Sequence, residues 1–330
     1  VEELEEPTGK SEEAEEHPAT AEGPTGRARN EPNQAAAEEQ TGRARSEPNH
    51  KSDTTALKAQ EYYASCQQTF SEEAVRQAIL LGNELVKEAG SVEKAAEALT
   101  EAKRAKRGDF LRPGLIKGIT DLHREYLEEM AARGVPSRRI GPRVRVRAKN
   151  HGSTRGHEEE LLEKAWKDAK YGGMILCSDE DEGVAKVLDS CNVVESPGGC
   201  VAKLNPDRTV STEIRSIHDV RSENEANDKY SHPPADQPKH VQLARKALWW
   251  RARHPKVALR CAKRDLPRAF KWHHLQPSSV AEFAMRIVWK CIQIIAISLV
   301  LTFGWTGSPG EYTVWAWASS SHRNHFRPPA

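Results

Sequence analysis

Three stretches of this chain carry side chains suited to catalysis or ligand binding. The first runs Arg215-Ser216-Ile217-His218-Asp219-Val220-Arg221-Ser222-Glu223-Asn224, an R-x-x-x-D-x-R-x-x-N spacing on a strand that leaves a hairpin. In the second, Asp265 follows Val257-Ala258-Leu259-Arg260-Cys261-Ala262, which reads as a strand, and Phe270 comes five residues later. The third, Phe303-Gly304-Trp305-Thr306-Gly307-Ser308-Pro309-Gly310-Glu311, reads as a strand end, a glycine loop and a helix start. With Ser308 as N-cap, Pro309 at N1 and Glu311 at N3 it predicts a capping box, whose backbone N–H groups would welcome an anion. A fourth stretch is purely basic. Arg143-Val144-Arg145-Val146-Arg147 alternates, so an extended segment would turn three guanidiniums to one face, and arginine forks suit phosphate. Each stretch also has a plainer reading: a strand-end carboxylate, a core phenylalanine, a surface ion-pair ladder and a solvated basic linker.

Taken in order, R-x-x-x-D-x-R-x-x-N, then D-x-x-x-A-F, then F-G-W-x-G-S-P, the motifs resemble those of retroelement reverse transcriptases. The likeness is to retrotransposon polyproteins of protists such as oomycetes, and it covers roughly residues 150–326. The resemblance implies RNA-directed DNA polymerase chemistry: nucleotidyl transfer from a deoxynucleoside triphosphate to a primer 3′-hydroxyl, with Mg²⁺ as cofactor and an RNA or DNA template–primer as partner. Asp265 matches the first catalytic, metal-binding carboxylate of the palm, and Phe270 the aromatic gate against a ribose 2′-hydroxyl. Arg215 matches the fingers arginine on the triphosphate, with Lys203 on the preceding strand assisting. Gly304, Ser308 and Pro309 match the loop that supports template–primer and nucleotide. Departures accompany the match. The family's aromatic-Asp-Asp hairpin, which supplies the second metal-binding carboxylate, should follow the helix that starts at Ser308, yet Ser319–Ala330 contains no Asp. Pro267 removes a strand N–H inside the Asp265 motif. The chain opens on Val1 and stops at Ala330, so it reads as a fragment that would not polymerise alone.

The elements that would position these groups are legible in part. Val75, Ala78, Ile79, Gly82, Leu85, Val86 and Ala89 form one helical stripe between Ser71 as N-cap and Gly90 as stop. Further helices are predicted at about 92–107, 115–133 and 239–253, and over His157–Lys170 with three glutamates in its first turn and Gly172-Gly173 as its close. Strands are predicted at Val201–Leu204 and Glu213–Asp219 around an Asn205-Pro206-Asp207 turn. Cys291–Phe303, apolar and β-branched, is shorter than the ~20 residues a bilayer core needs and reads as a buried strand. Trp249, Trp250, Trp272, Trp305, Trp315 and Trp317 read as core. The expected fold is α+β: an acidic disordered segment at 1–55, a helical connector at 56–134, a basic linker at 135–155, and fingers with a partial palm at 156–330.

Composition narrows the classes. The 330 residues are 37% hydrophobic and 29% charged with mean hydropathy −0.72, which excludes a polytopic membrane protein, a collagen-like repeat and a disulfide miniprotein. Residues 1–50 hold 5 Lys/Arg against 13 Asp/Glu, a net −8, and the other 280 hold 44 against 35, a net +9. A polyanionic partner would therefore meet the body. The acidic segment repeats itself, with Thr25–Asn33 returning as Thr41–Asn49, as a duplicated linker or a pair of Arg-bearing docking motifs. Six scattered cysteines without CxxC spacing read as reduced thiols, and the lack of a signal peptide points inside the cell, to cytoplasm or nucleus. Two rival readings stand beside the polymerase: a non-catalytic nucleic-acid-binding remnant using Arg143, Arg145 and Arg147, and an interaction segment using the helices before residue 134. A third outcome is no stable fold at all, with Ile292, Ile294 and Ile295 left uncovered on an unpaired sheet edge.

Overall fold

The computed structural model describes residues 50–107, 118–205, 207–235, 239–260 and 268–325. Helices α1 (His50–Ser65), α2 (Glu72–Ala89), α3 (Val92–Arg107) and α4 (Asp121–Arg133) come first. Next are α5 (Glu158–Lys170), β1 (Met174–Cys177), α6 (Glu182–Ser190), β2 (Glu195–Ser196) and the hairpin of β3 (Gly198–Leu204) and β4 (Val210–His218). The short α7 (Arg221–Glu225) and α8 (His240–Arg253) precede β5 (Ala284–Trp289), β6 (Ile292–Ser298) and α9 (Gly307–His325). The architecture is mixed α+β. One sheet has the order β1-β6-β5-β2, antiparallel except where β2 meets β5, and β3 with β4 makes a separate two-stranded ribbon.

Local sequence accounts for most of these elements. Ser71 Oγ accepts from Ala74 N, and Gly90, at φ +65°, donates its N–H to the carbonyls of Val86 and Lys87, so α2 is capped at both ends as its pattern predicts. The run Ile292–Ser298 is the buried strand expected of it: Ile294 and Ile295 are fully buried and Ile292 is half-buried, covered rather than left open. No helix among the described residues is long and apolar enough to cross a membrane.

Several boundaries move. Residues 50–55, expected in the disordered segment, belong to α1; residues 1–49 lie outside the described set. The helix expected from 115 starts at Asp121 with Thr120 as its cap, and 108–117 lie outside the described residues. The strand expected from Val257 is not formed over 257–260, where all four residues are exposed; 261–262 are outside the described residues. The helices before residue 134 do not stand apart as a connector, because one hydrophobic core runs from Tyr62, Val75, Leu85 and Leu99 through Ile175, Ile287 and Ile295.

A sealed strand edge joins helices to sheet. In the strand order β1 lies at an edge, and unpaired strand groups there need partners. Tyr62 of α1 provides two: its hydroxyl accepts from Leu176 N at 2.8 Å and donates to Met174 O at 3.1 Å. Asn83 of α2 accepts from Ser178 N at 2.8 Å. Between them Gly82 presses its backbone on the strand; a Cβ there would sit 2.0 Å from Leu176 O. Tyr62→Phe keeps the ring and strands both strand groups. It is expected to lower unfolding free energy by about 1–3 kcal/mol, read as a shift of the urea midpoint; an unchanged midpoint would show that the edge does not depend on this hydroxyl.

Candidate functional site

A cleft enclosing about 80 Å³ opens between α5, β4 and the segment that leaves β6. Lys164 and Asp168 of α5, Ser216 and His218 of β4, and Lys271, Thr302 and Phe303 line it. The helix pattern of α5 aims these groups: Leu161, Leu162, Ala165, Trp166 and Ala169 are buried, and Asp168 falls on the same stripe.

Parts of the three motifs lie at or beside the cleft: Ser216, Ile217 and His218 of the first and Phe303 of the third line it, and Phe270, the last residue of the second, packs on Phe303. Asn224, last residue of the first, donates from Nδ2 to Gly304 O and accepts from Thr306 N on Oδ1, both at 2.8 Å, clamping the glycine loop of the third. Gly304 needs its φ of +92° for this turn, and a Cβ there would lie 3.2 Å from His218 O. Phe270, from the second motif, rests its ring on Phe303 at 4.8 Å and on Tyr312 at 5.6 Å. Ser308 is fully buried and donates from Oγ to Thr302 O at 2.7 Å. The Pro309 carbonyl accepts from Thr313 Oγ1 at 2.7 Å.

The expected capping box does not form. α9 starts at Gly307, which puts Ser308 inside the first turn, and the Glu311 carboxylate turns to the buried His232 Nδ1 at 2.8 Å and to the hydroxyl of the half-buried Tyr126. Nor is the helix start an open anion site. Thr306 N is held by Asn224, Ser308 N donates to Trp305 O at 3.2 Å, and proline has no N–H to offer.

Charge in the cleft is largely internal. Asp168 accepts from Arg268 at 2.9 Å and from Lys271, and the Arg268 guanidinium lies 3.7 Å over the Tyr171 ring. Lys164 donates to Ile214 O, and burial, helped by Lys203, lowers its pKa. One group is unmet: Thr302 Oγ1 is buried without a partner among the described residues. Asp265, with the rest of 261–267, lies outside the described residues. The described residues do not fit Mg²⁺, since Asp168 is already shared by two cations and no cluster of His, Cys, Asp or Glu among them could hold a metal ion.

Other expected site residues lie apart from the cleft. Lys203 pairs with Glu213 across the hairpin, and Arg215 stands exposed on β4. Asp219 and Arg221 pair with each other, which holds the Asp219 carboxyl well below the usual range. Arg143, Arg145 and Arg147 do share one face, but that face meets the end of α6. Arg143 donates to Cys191 O at 2.9 Å and pairs with Glu93 at 2.7 Å. Arg145 reaches Val193 O and Glu195, each at 2.7 Å, and Arg147 joins it on Asp189. These guanidiniums stabilise a helix C-terminus, where carbonyls lack partners. The reading of Trp249, Trp250, Trp272 and Trp317 as core also fails, for each is between 41% and 50% exposed, whereas Trp305 is buried.

The sequence pattern missed Lys164, Asp168, Lys271 and Thr302. Asp168 did carry a signal, an acid on an apolar helix stripe; Lys164 and Thr302 carried none. Compared with known proteins, the chain matches no family model, no curated protein and no solved structure.

Two histidines by the cleft, His273 buried and His218 half-buried on its wall, sit where the charged form is disfavoured. His218 donates from Nε2 to Ala284 O at 3.1 Å, and desolvation pushes its pKa down to about 4. His273, stacked on Trp315 at 5.1 Å, is likewise pushed down to about 4 by burial. The unfolded chain binds these protons near pH 6.5 and the folded chain only near 4. Their stabilising contribution is therefore complete above 6.5 and declines as pH falls to 4. Urea midpoints measured across that window should drop, and His273→Phe should flatten the slope; equal slopes would place the acid sensitivity elsewhere.

Proposed function

We propose that this chain carries the fingers and part of the palm of a retroelement RNA-directed DNA polymerase, with the cleft as the place where template–primer and nucleotide are held. One observation above all supports the reading: three motifs separated by some 80 residues of chain are joined by the Asn224 clamp on Gly304 and Thr306 and by the Phe270–Phe303 contact. The β3–β4 ribbon, carrying Lys203 and Arg215, would act as the fingers strands, with the exposed Arg215 offering positive charge toward phosphate. The enclosed volume suits a sugar edge or a few waters rather than a whole nucleotide, so a nucleotide would lie across the mouth. Phe270, which packs on the cleft residue Phe303 and on Tyr312, would act on the sugar as the aromatic gate that the resemblance implies. No catalytic step is assigned to the described residues.

A second reading, a nucleic-acid-binding segment that does no chemistry, draws support from the engagement of Asp168 by two cations. Sugar discrimination separates the two. Binding of deoxy- and ribonucleoside triphosphates to the chain, with a primer–template and Mg²⁺ added, is expected to favour the deoxy form. Phe270→Ala should narrow that preference about tenfold. Equal binding of both sugars by the unaltered chain would overturn the polymerase reading and leave the second.

A further inference from the structure

We propose that α8 and the segment after it, residues 239–260, form a platform for single-stranded nucleic acid, separate from the cleft. Lys239, Arg245, Lys246, Arg251, Arg253, Lys256 and Arg260 lie here, and the stretch contains no Asp or Glu. Among the described residues no ion pair uses any of these cations, whereas Arg139, Arg143, Arg145 and Arg286 all pair with carboxylates. The positive excess of the body is thus concentrated where it remains available.

The helix contributes nothing to the core. None of its residues is buried, and Trp249 and Trp250 are 50% and 44% exposed. Residues four apart share a helix face, which arranges the side chains in two adjacent rows, Arg245–Trp249–Arg253 and Lys246–Trp250–His254. Ring contacts follow the rows: Arg253 lies 4.6 Å over Trp249, and Trp250 stacks on His254 at 5.2 Å and 27°. The two indoles meet edge to face at 5.3 Å. Each row alternates a group that attracts phosphate with a flat ring that stacks on a base.

The occupant follows from this chemistry. Charge complementarity calls for a polyanion. Membrane-surface helices separate an apolar face from a cationic one, and groove-binding helices show one apolar stripe. Here Val241, Leu243, Leu248 and both indoles are distributed around the helix among the cations, so neither pattern is met. Single strands expose their bases, and proteins hold them by cationic grooves with interleaved aromatics. In a duplex the base faces are stacked inside and closed to an indole. The inference goes beyond the polymerase reading and needs neither nucleotide nor metal.

The test is fluorescence anisotropy of a labelled oligothymidylate with the full chain, in the absence of Mg²⁺ and nucleotide, at two salt concentrations. The chain should bind the single strand and prefer it to a duplex of the same length. Trp249→Ala with Trp250→Ala should weaken binding by about tenfold or more. Arg245→Gln with Arg253→Gln should reduce the salt slope by ~0.7 for each phosphate that is no longer neutralised. All four positions are exposed, so circular dichroism should be unchanged in both variants. Phe270→Ala should leave this affinity intact, which separates failure here from failure of the cleft reading. Equal affinity of the unaltered and double-tryptophan chains would overturn the proposal. So would a change from dimer to monomer in the double-tryptophan chain without loss of oligonucleotide binding, which would make the helix a contact between copies.

Discussion

The fold depends on how the edge of β1 is closed. A four-stranded sheet with β1 outermost would present unpaired N–H and carbonyl groups, each costly to bury unmet. Here helices supply side chains for them. Tyr62 serves two strand groups with one hydroxyl, Asn83 serves a third, and Gly82 lets α2 approach closely enough for both to reach. Burial of Leu85, Leu99, Ile175 and Ile295 in one core then follows. Without the edge contacts, the helical layer would have only non-directional packing to fix its register on the strand.

Charge is handled in a related way. Arg143 and Arg145 turn inward beside the end of α6 while Arg147 stays exposed, and Arg286 lies between Asp179 and Glu195. Arg145 meets the other side of Glu195, which is buried. Such buried charges are tolerated because each carboxylate oxygen meets a guanidinium, and removal of one partner would leave the other without compensation. Much of the arginine in the body is thereby structural. The cations of α8 and the segment after it enter no ion pair among the described residues, and Arg215 of β4 is exposed.

Polar clamps join the walls of the cleft beside the core residues Leu161, Ala165, Met174, Met285 and Ala296 that also line it. Asn224 fixes the turn at Gly304, the Ser308 hydroxyl fixes Thr302, and Asp168 fixes Arg268 and Lys271. Each joins residues distant in the chain through directional hydrogen bonds, which suits a site that must keep its geometry while one wall faces solvent. Thr302 Oγ1, buried and unmet, is the group with hydrogen-bonding capacity to spare.

Elements whose signals are local could be read from the residue order alone. Periodicity and caps set α2 and α5, the β-branched run set β6, and the turn at Asn205–Asp207 set the ribbon. Long-range packing settled the rest, for reasons local signals do not hold. Ser308 and Glu311 have capping-box spacing, yet Thr302 and the His232–Tyr126 pair compete for them and win. The alternation of Arg143, Arg145 and Arg147 defines a face but not what it meets; the carbonyls at the end of α6 do that. The indoles of α8 have core composition and stand in solvent, because burial depends on whether another surface arrives to cover them. Pattern specifies which way a side chain points along its own element, and only the packing of distant elements specifies what it finds there.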